Sequence, residues 1–241
     1  MDRLTTNGNL FSLLEGYSKK KNALNARTMH LEKTIAKLQS GSDVTIVALG
    51  DSLTSGWMVA RGYTEFLRDM LMSRFPRADV RIINSGIPGD TATGGHYRLQ
   101  QDALSYSPDL VLVQFALNDA FCGCSLAEFR VAIEAIIERI RQESSAEVLL
   151  LTSTLPADAS ELDVVAQFYA VLKDIAREKE CGVALVDELW RDAIAAGTLH
   201  DSLVLYDRVH PSEAGYRLMA EAVMCCLCHD LSWRTVIRHP A

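Results

Sequence analysis

The stretch Val44 to Trp57, VTIVALGDSLTSGW, decides how the rest of the chain is read. Val44 to Leu49 is a short, β-branched run, apolar but for Thr45 and closed by Gly50. That is the pattern of a strand buried on both faces of a parallel sheet. Such a strand delivers Gly50-Asp51-Ser52-Leu53 to its carboxyl end, and in open α/β sheets ligands bind at that edge. Ser52 is therefore the first residue to test as a reactive group.

Working outward, strands and helices alternate. Tyr63 to Phe75 has helical spacing and is followed by Pro76, and Val80 to Ile83 is a second strand. That strand runs into a turn-rich loop, Asn84 to Thr91. Residues 92–105 form a weaker helix. Leu110 to Gln114 is a third strand, ending in Phe115-Ala116-Leu117-Asn118-Asp119. Ser125 and Glu128 make a capping box for a helix with Phe129, Ile133, Ile136, Ile137 and Ile140 inward. Val148 to Leu151 and Val183 to Val186 are the fourth and fifth strands. Between them lies a helix over Leu162 to Glu180, expected to close at Gly182. A short helix around 188–195 and a loop to Tyr206 lead to Asp207-Arg208-Val209-His210-Pro211, then to a last helix from Ser212 to about Leu227. About five strands alternating with helices predict an α/β fold with a doubly wound parallel sheet covered on both faces. Strand order is not legible at this stage.

Before the first strand, Leu24, Leu31, Ile35 and Leu38 share a helical stripe, and Gly41 is placed to end that helix. The expected organisation is an amphipathic extension over 1–42, one domain over 43–228 and a tail over 229–241. The extension is expected to pack on its own domain, since single-stripe helices usually bury locally; covering the site, or meeting a second subunit as a homo-oligomer through this helix, are the alternatives.

Composition narrows the function. The hydrophobic fraction of 49% supports a full core, and the net charge of −7, with no basic run beyond Lys19-Lys20-Lys21, disfavours nucleic acid. No run approaches the length of a membrane span, and Met1 to Phe11 lacks a signal pattern, so the expectation is a cytoplasmic protein. Cys122, Cys124, Cys181, Cys225, Cys226 and Cys228 form no paired CxxC motifs. They read as small apolar residues of a reducing cell rather than as zinc ligands.

A serine needs a base. Among six histidines, His210 is the candidate, because Asp207 precedes it by three residues and can hold one ring nitrogen while the other faces outward. His200, next to Asp201, is the reserve. Acyl transfer also needs donors for a developing oxyanion. Gly89 brings a loop amide within reach of a ligand, and Asn118 carries a neutral amide donor. Each feature alone is an ordinary cap, turn or loop contact. Together they are expected at one edge of the sheet.

These four blocks, Gly50-Asp51-Ser52-Leu53, Asn84 to Thr91, Leu117-Asn118-Asp119 and Asp207 to Pro211, resemble the GDSL, or SGNH, hydrolase family, in that family's order. The resemblance implies a three-layer α/β/α sandwich of flavodoxin-like type and a serine esterase, lipase or acylhydrolase that uses neither cofactor nor metal. It implies Ser52 as nucleophile, His210 as base and Asp207 as its orienting partner. It implies an oxyanion hole from the amides of Ser52 and Gly89 and the side chain of Asn118. The substrate would be a small-molecule or lipid ester, or a thioester. One departure is visible: Ala116 stands where the family usually has glycine. Two rival readings remain, a flavin-binding module with its phosphate at Ser52 to Ser55, and a non-catalytic binding domain on the same scaffold. Trp57, Met58, Phe121 and Tyr206 flank the blocks, where they can line an acyl or leaving-group pocket; packing is their ordinary role.

Overall fold

The computed structural model describes residues 30–228. The expected tail and Leu24 of the first stripe lie outside the described residues. Five parallel strands form one sheet: β1 (Val44–Gly50), β2 (Val80–Gly86), β3 (Leu110–Gln114), β4 (Glu147–Leu151) and β5 (Gly182–Ala184), in the order β2-β1-β3-β4-β5. This is the flavodoxin-like doubly wound order, with the chain reversing beside β1. β1, β3 and β4 are almost wholly buried, as their unbroken apolar runs require.

The helices are α1 (Glu32–Ser40), α2 (Ser52–Ser55), α3 (Tyr63–Arg74), α4 (Ala92–Asp102) and α5 (Leu117–Phe121). They continue with α6 (Leu126–Glu143), α7 (Ala159–Glu178), α8 (Val186–Ala195), α9 (His200–Leu203) and α10 (Glu213–Leu227). α3, α8 and α10 pack together on one side of the sheet, and α4, α6 and α7 on the other. The capping box at Ser125 is present: its hydroxyl accepts from the Glu128 amide at 3.2 Å, and the Glu128 carboxylate accepts from the Ser125 amide at 2.9 Å.

Helix α1 closes the amino-terminal edge of the sheet. Leu31, Ile35 and Leu38 are buried in the same core as the strands, each worth about 1.5–3 kcal/mol by area. The Glu147 carboxylate, at the start of β4, accepts from the amides of Lys33 and Thr34 at 2.9 and 2.8 Å, satisfying two of the orphan donors of α1. Gly41 ends the helix in a left-handed conformation (φ 80°). Over its described part, the apolar stripe of this helix is therefore buried inside its own chain, as expected of packing on its own domain.

Four boundaries differ from expectation. β2 runs on through Asn84, Ser85 and Gly86, because the polar side chains are pinned: Asn84 Nδ2 donates to Thr54 O at 2.7 Å and Ser85 Oγ to Asp102 O at 2.6 Å. α7 does not close at Gly182. It stops at Lys179, Glu180 takes φ 51°, and Gly182 opens β5, where a Cβ would come within 2.9 Å of a Leu149 methyl. β5 is short, and Val186 begins α8. Asn118, expected at the end of the third strand, lies instead in the first turn of α5.

Candidate active site

The pairing register brings the reactive loops to one level. Gly50 is opposite Gly86 on one side and Gln114 on the other, so the chain leaves β1, β2 and β3 at the same rung. A Cβ on Gly86 would strike Ser55 N at 2.2 Å, which is how closely the β2 end lies against α2.

Asp51 caps α2, accepting from the Leu53 amide at 2.9 Å. Ser52 is the first residue of that helix, so its own amide has no intrahelical acceptor. Ser52 is buried but for a few per cent, and its Oγ lies 2.9 Å from His210 Nε2, across 158 positions of sequence. His210 Nδ1 lies 2.7 Å from Asp207 Oδ2. The other Asp207 oxygen accepts from the amides of Val209 and His210 at 3.0 and 2.9 Å. Burial pushes the Asp207 carboxyl up, but these two amides and the His210 ring together outweigh it and hold the group below its ordinary range.

The loop carrying the histidine is braced from both sides. Val204 and Pro211 form an antiparallel bridge, Leu205 N donates to His210 O at 2.7 Å, and Thr154 Oγ1 donates to Val209 O at 3.1 Å. Arg208 takes φ 62°, which folds the backbone so that the carboxylate of Asp207 reaches both its own loop amides and the ring. The reserve histidine, His200, is engaged elsewhere, with Nε2 2.7 Å from Leu155 O.

Ile87-Pro88-Gly89-Asp90 is a tight turn in which Asp90 N donates to Ile87 O at 3.1 Å and Gly89 takes φ 81°. Proline then glycine is the sequence of a type II turn. A Cβ on Gly89 would meet no protein atom within 4 Å, so within the chain itself the glycine answers to its backbone angle. Two successive residues of α5 hold this turn in place. Asn118 Nδ2 donates to Asp90 O at 2.9 Å, and Asp119 Oδ1 accepts from the Ala92 amide at 3.0 Å. An asparagine amide has two hydrogens, so the bond to Asp90 orients the group and leaves one donor over. Ala116, before α5, takes φ 139°, a conformation suited to glycine. The departure seen in the sequence is therefore a strained alanine.

Sequence reasoning missed the supports. Arg98 on α4 donates to Asp90 Oδ2 at 2.7 Å, Ser85 O at 2.8 Å, Gly50 O at 2.9 Å and Asp102 Oδ2 at 3.1 Å. It ties the ends of β1 and β2 to the Gly89 turn. The i,i+4 pair Arg98–Asp102 was visible in the sequence; the other acceptors were not. Gln114, a lone polar residue closing an apolar strand, is fully buried, accepting from Thr54 Oγ1 at 2.9 Å and donating to Asp51 Oδ2 at 3.4 Å. Burial pushes the carboxyl of Asp51 up to about 7 and that of Asp119 to about 6, against the hydrogen bonds from Leu53 and Ala92 respectively.

An imidazole held between a carboxylate and a hydroxyl can take the hydroxyl proton as the oxygen attacks, and return it to a leaving group. Among the described residues, no cluster of three or more His, Cys, Asp or Glu is arranged to hold a metal, and no helix is long and apolar enough to cross a membrane.

The sequence profile of the GDSL-like lipase/acylhydrolase family matches residues 48–218. The chain belongs to that family. The GDSL-family chain is an esterase or acylhydrolase, an enzyme acting on ester bonds. It is similar to an acetylxylan esterase of Geobacillus stearothermophilus, 22% identical over 212 residues that cover 78% of this chain and 95% of that one. It is also similar to the esterase TesA of Pseudomonas aeruginosa, 30% identical over 120 residues, or 49% of this chain and 58% of that one. The crystal structure of the Geobacillus acetylxylan esterase superposes with a TM-score of 0.71 at 21% identity, covering 81% of the GDSL-family chain and 98% of its own. That likeness establishes the shared fold.

Proposed function

We propose that the chain cleaves a carboxylic ester or thioester through an acyl-enzyme on Ser52. The observation that carries this reading is the unbroken line Asp207–His210–Ser52, with contacts of 2.7 and 2.9 Å. His210 Nε2 takes the Ser52 proton as Oγ attacks the acyl carbon. The carbonyl electrons move onto an oxyanion received by the amides of Ser52 and Gly89 and the spare hydrogen of Asn118. Collapse expels the leaving oxygen or sulfur, which takes the proton from His210. A water then repeats the sequence and frees Ser52. Asp207 keeps the imidazole in the tautomer that accepts at Nε2 and balances the imidazolium.

The related Geobacillus esterase supports the assignment. Structures described as its catalytic mutants replace a serine, a histidine and an aspartate, the last standing three residues before the histidine, as Asp207 does before His210. We assign the hydrolase unit to residues 43–228, with the helix before it as an extension that completes the core. A small ester fits the site as well as a lipid, and a reducing, cytoplasmic setting suits cysteines that are all free thiols. The flavin and binding-module alternatives leave the Asp207–His210–Ser52 line without a task.

The test is labelling and turnover together. The wild type should react with a fluorophosphonate at Ser52 and hydrolyse a chromogenic short-chain acetate. Ser52→Ala should lose both while keeping its thermal midpoint. Wild-type turnover in the alanine variant would refute the nucleophile assignment.

A further inference from the structure

We propose that Trp57, Met58 and Tyr206 form the leaving-group subsite of this enzyme and select an uncharged alcohol bearing an aromatic ring. This rests on the assignment of Ser52 and His210 given above. The argument begins with stereochemistry. In the tetrahedral intermediate the leaving oxygen must lie within hydrogen-bond reach of His210 Nε2, because that nitrogen protonates it. Whatever is attached to that oxygen therefore starts beside the His210 ring.

One aromatic wall stands there. The Trp57 ring lies 6.4 Å from the His210 ring, centroid to centroid, tilted by 40°. The Trp57 amide donates to Ser52 O at 3.2 Å, which ties the backbone carrying the indole to the reactive serine. Tyr206 lies four residues before His210 on the same braced loop. Its hydroxyl reaches Met58 Sδ at 3.8 Å, so the loop after α2 and the loop of the histidine touch at this point.

These are unusual residues to leave in water. Trp57 is 41% exposed, Met58 57% and Tyr206 81%. Apolar side chains clustered in the open beside a polar site mark a place where something else is buried. Met58 also takes φ 59°, a conformation rarely adopted by a long side chain and found where function fixes the backbone. The chemistry of these side chains names the ligand. Indole and phenol faces stack on flat rings, and a thioether favours an aromatic edge. None of the three carries a charge. The nearest cation on the loop, Arg208, has its guanidinium 3.4 Å from the Asp201 carboxylate. A sugar ring would need partners for several hydroxyls, and these three side chains offer only the phenol hydroxyl and the indole N–H. Ile87, in the turn of Gly89, and Phe121, at the end of the helix of Asn118, are also exposed and border the oxyanion side instead.

The experiment compares acetates with one acyl group and different alcohols: ethyl, cyclohexylmethyl, benzyl, and an acetylated methyl glycoside. Each is assayed with the wild type, Trp57→Ala and Tyr206→Ala. Fluorophosphonate labelling of Ser52 is measured in every sample. The wild type should favour benzyl over ethyl acetate by about tenfold in kcat/KM, with cyclohexylmethyl between them and the glycoside below benzyl. Each alanine variant should lose most of the benzyl-to-ethyl ratio, while the response to lengthening the acyl chain of a benzyl ester keeps its wild-type form. A labelled wild type with no benzyl preference, with cyclohexylmethyl equal to benzyl, or with the glycoside preferred, would overturn the inference and leave the serine-esterase reading standing. So would a benzyl-to-ethyl ratio unchanged in both variants. No label and no turnover in the wild type would overturn both.

Discussion

Replacing Asp207 by asparagine should cost about 10³-fold in kcat with little change in fold. The carboxylate does two separate jobs: one oxygen accepts from two loop amides at 3.0 and 2.9 Å, the other from His210 Nδ1 at 2.7 Å. An asparagine has one accepting oxygen. With that oxygen toward the loop amides, its NH₂ faces Nδ1, and the ring must carry its proton on Nε2, where it cannot take one from Ser52. Turning the amide over restores the reactive tautomer but sets a donor against two donors, at about 1 kcal/mol for each lost bond. The reactive arrangement is then scarce by a factor of about 30. Loss of the charge facing the imidazolium removes a further ~1.5–3 kcal/mol, the worth of a hydrogen bond to a charged group. The product is about 10³. Because the Asp207 carboxyl is held below its ordinary range, its stabilising effect is present above that range and is lost only as pH falls through the lowered value. The carboxylate thus stays ionised throughout neutral assays. Steady-state kinetics on a chromogenic acetate from pH 6 to 9, with thermal melts alongside, gives the answer. A variant within tenfold of wild-type kcat across that range would refute the orienting role.

Asn118→Ala should lower kcat by about 10²–10³-fold with KM nearly constant, since the lost donor acts on the oxyanion; a change confined to KM on the same acetate would contradict this. Asp51 should make the fold weaken as pH rises. Its carboxyl is fully buried and titrates at about 7 rather than 3.8, so the native state retains a proton that the unfolded chain releases, and stability falls between about pH 4 and 7, by on the order of 4 kcal/mol at most. Asp51→Asn should flatten most of that slope in thermal melts at stepped pH, and parallel curves for the two proteins would sink the assignment. Ala116→Gly should raise the melting temperature. Relief of the strained φ of 139°, worth about 1–3 kcal/mol, exceeds the ~0.4–1 kcal/mol entropic cost of glycine and the lost methyl contact of ~0.8 kcal/mol by about 0.5 kcal/mol at mid-range. A lower melting temperature would count against strain at this position.

The strands were legible where burial on two faces forces a continuous apolar run, as in Val44 to Leu49 and Leu110 to Gln114. They were illegible where a polar side chain is satisfied by a distant partner. Asn84 and Ser85 read as loop because their acceptors, Thr54 O and Asp102 O, lie far off in sequence. Gly182 read as a helix stop because its crowding against Leu149 is a tertiary fact. The candidate site followed the same division. Ser52, Asp207 and His210 were nameable from residue type and spacing, and the coordinates bring the three together. Arg98 was not, since three of its four acceptors belong to other elements. Gly89 was singled out for close approach to a ligand; the positive φ that its turn also demands was not legible, since it depends on how the turn is folded.

Arg98 sets a limit on how the enzyme can vary. Its flat fork reaches acceptors on two strand ends, the Gly89 turn and its own helix, in directions that only a planar group with several nitrogens can serve at once. A lysine would keep the charge and forfeit the span, leaving strand carbonyls bare or the turn unmoored. The position tolerates no half-measure, so sequence drift on α4 must flow around this single guanidinium.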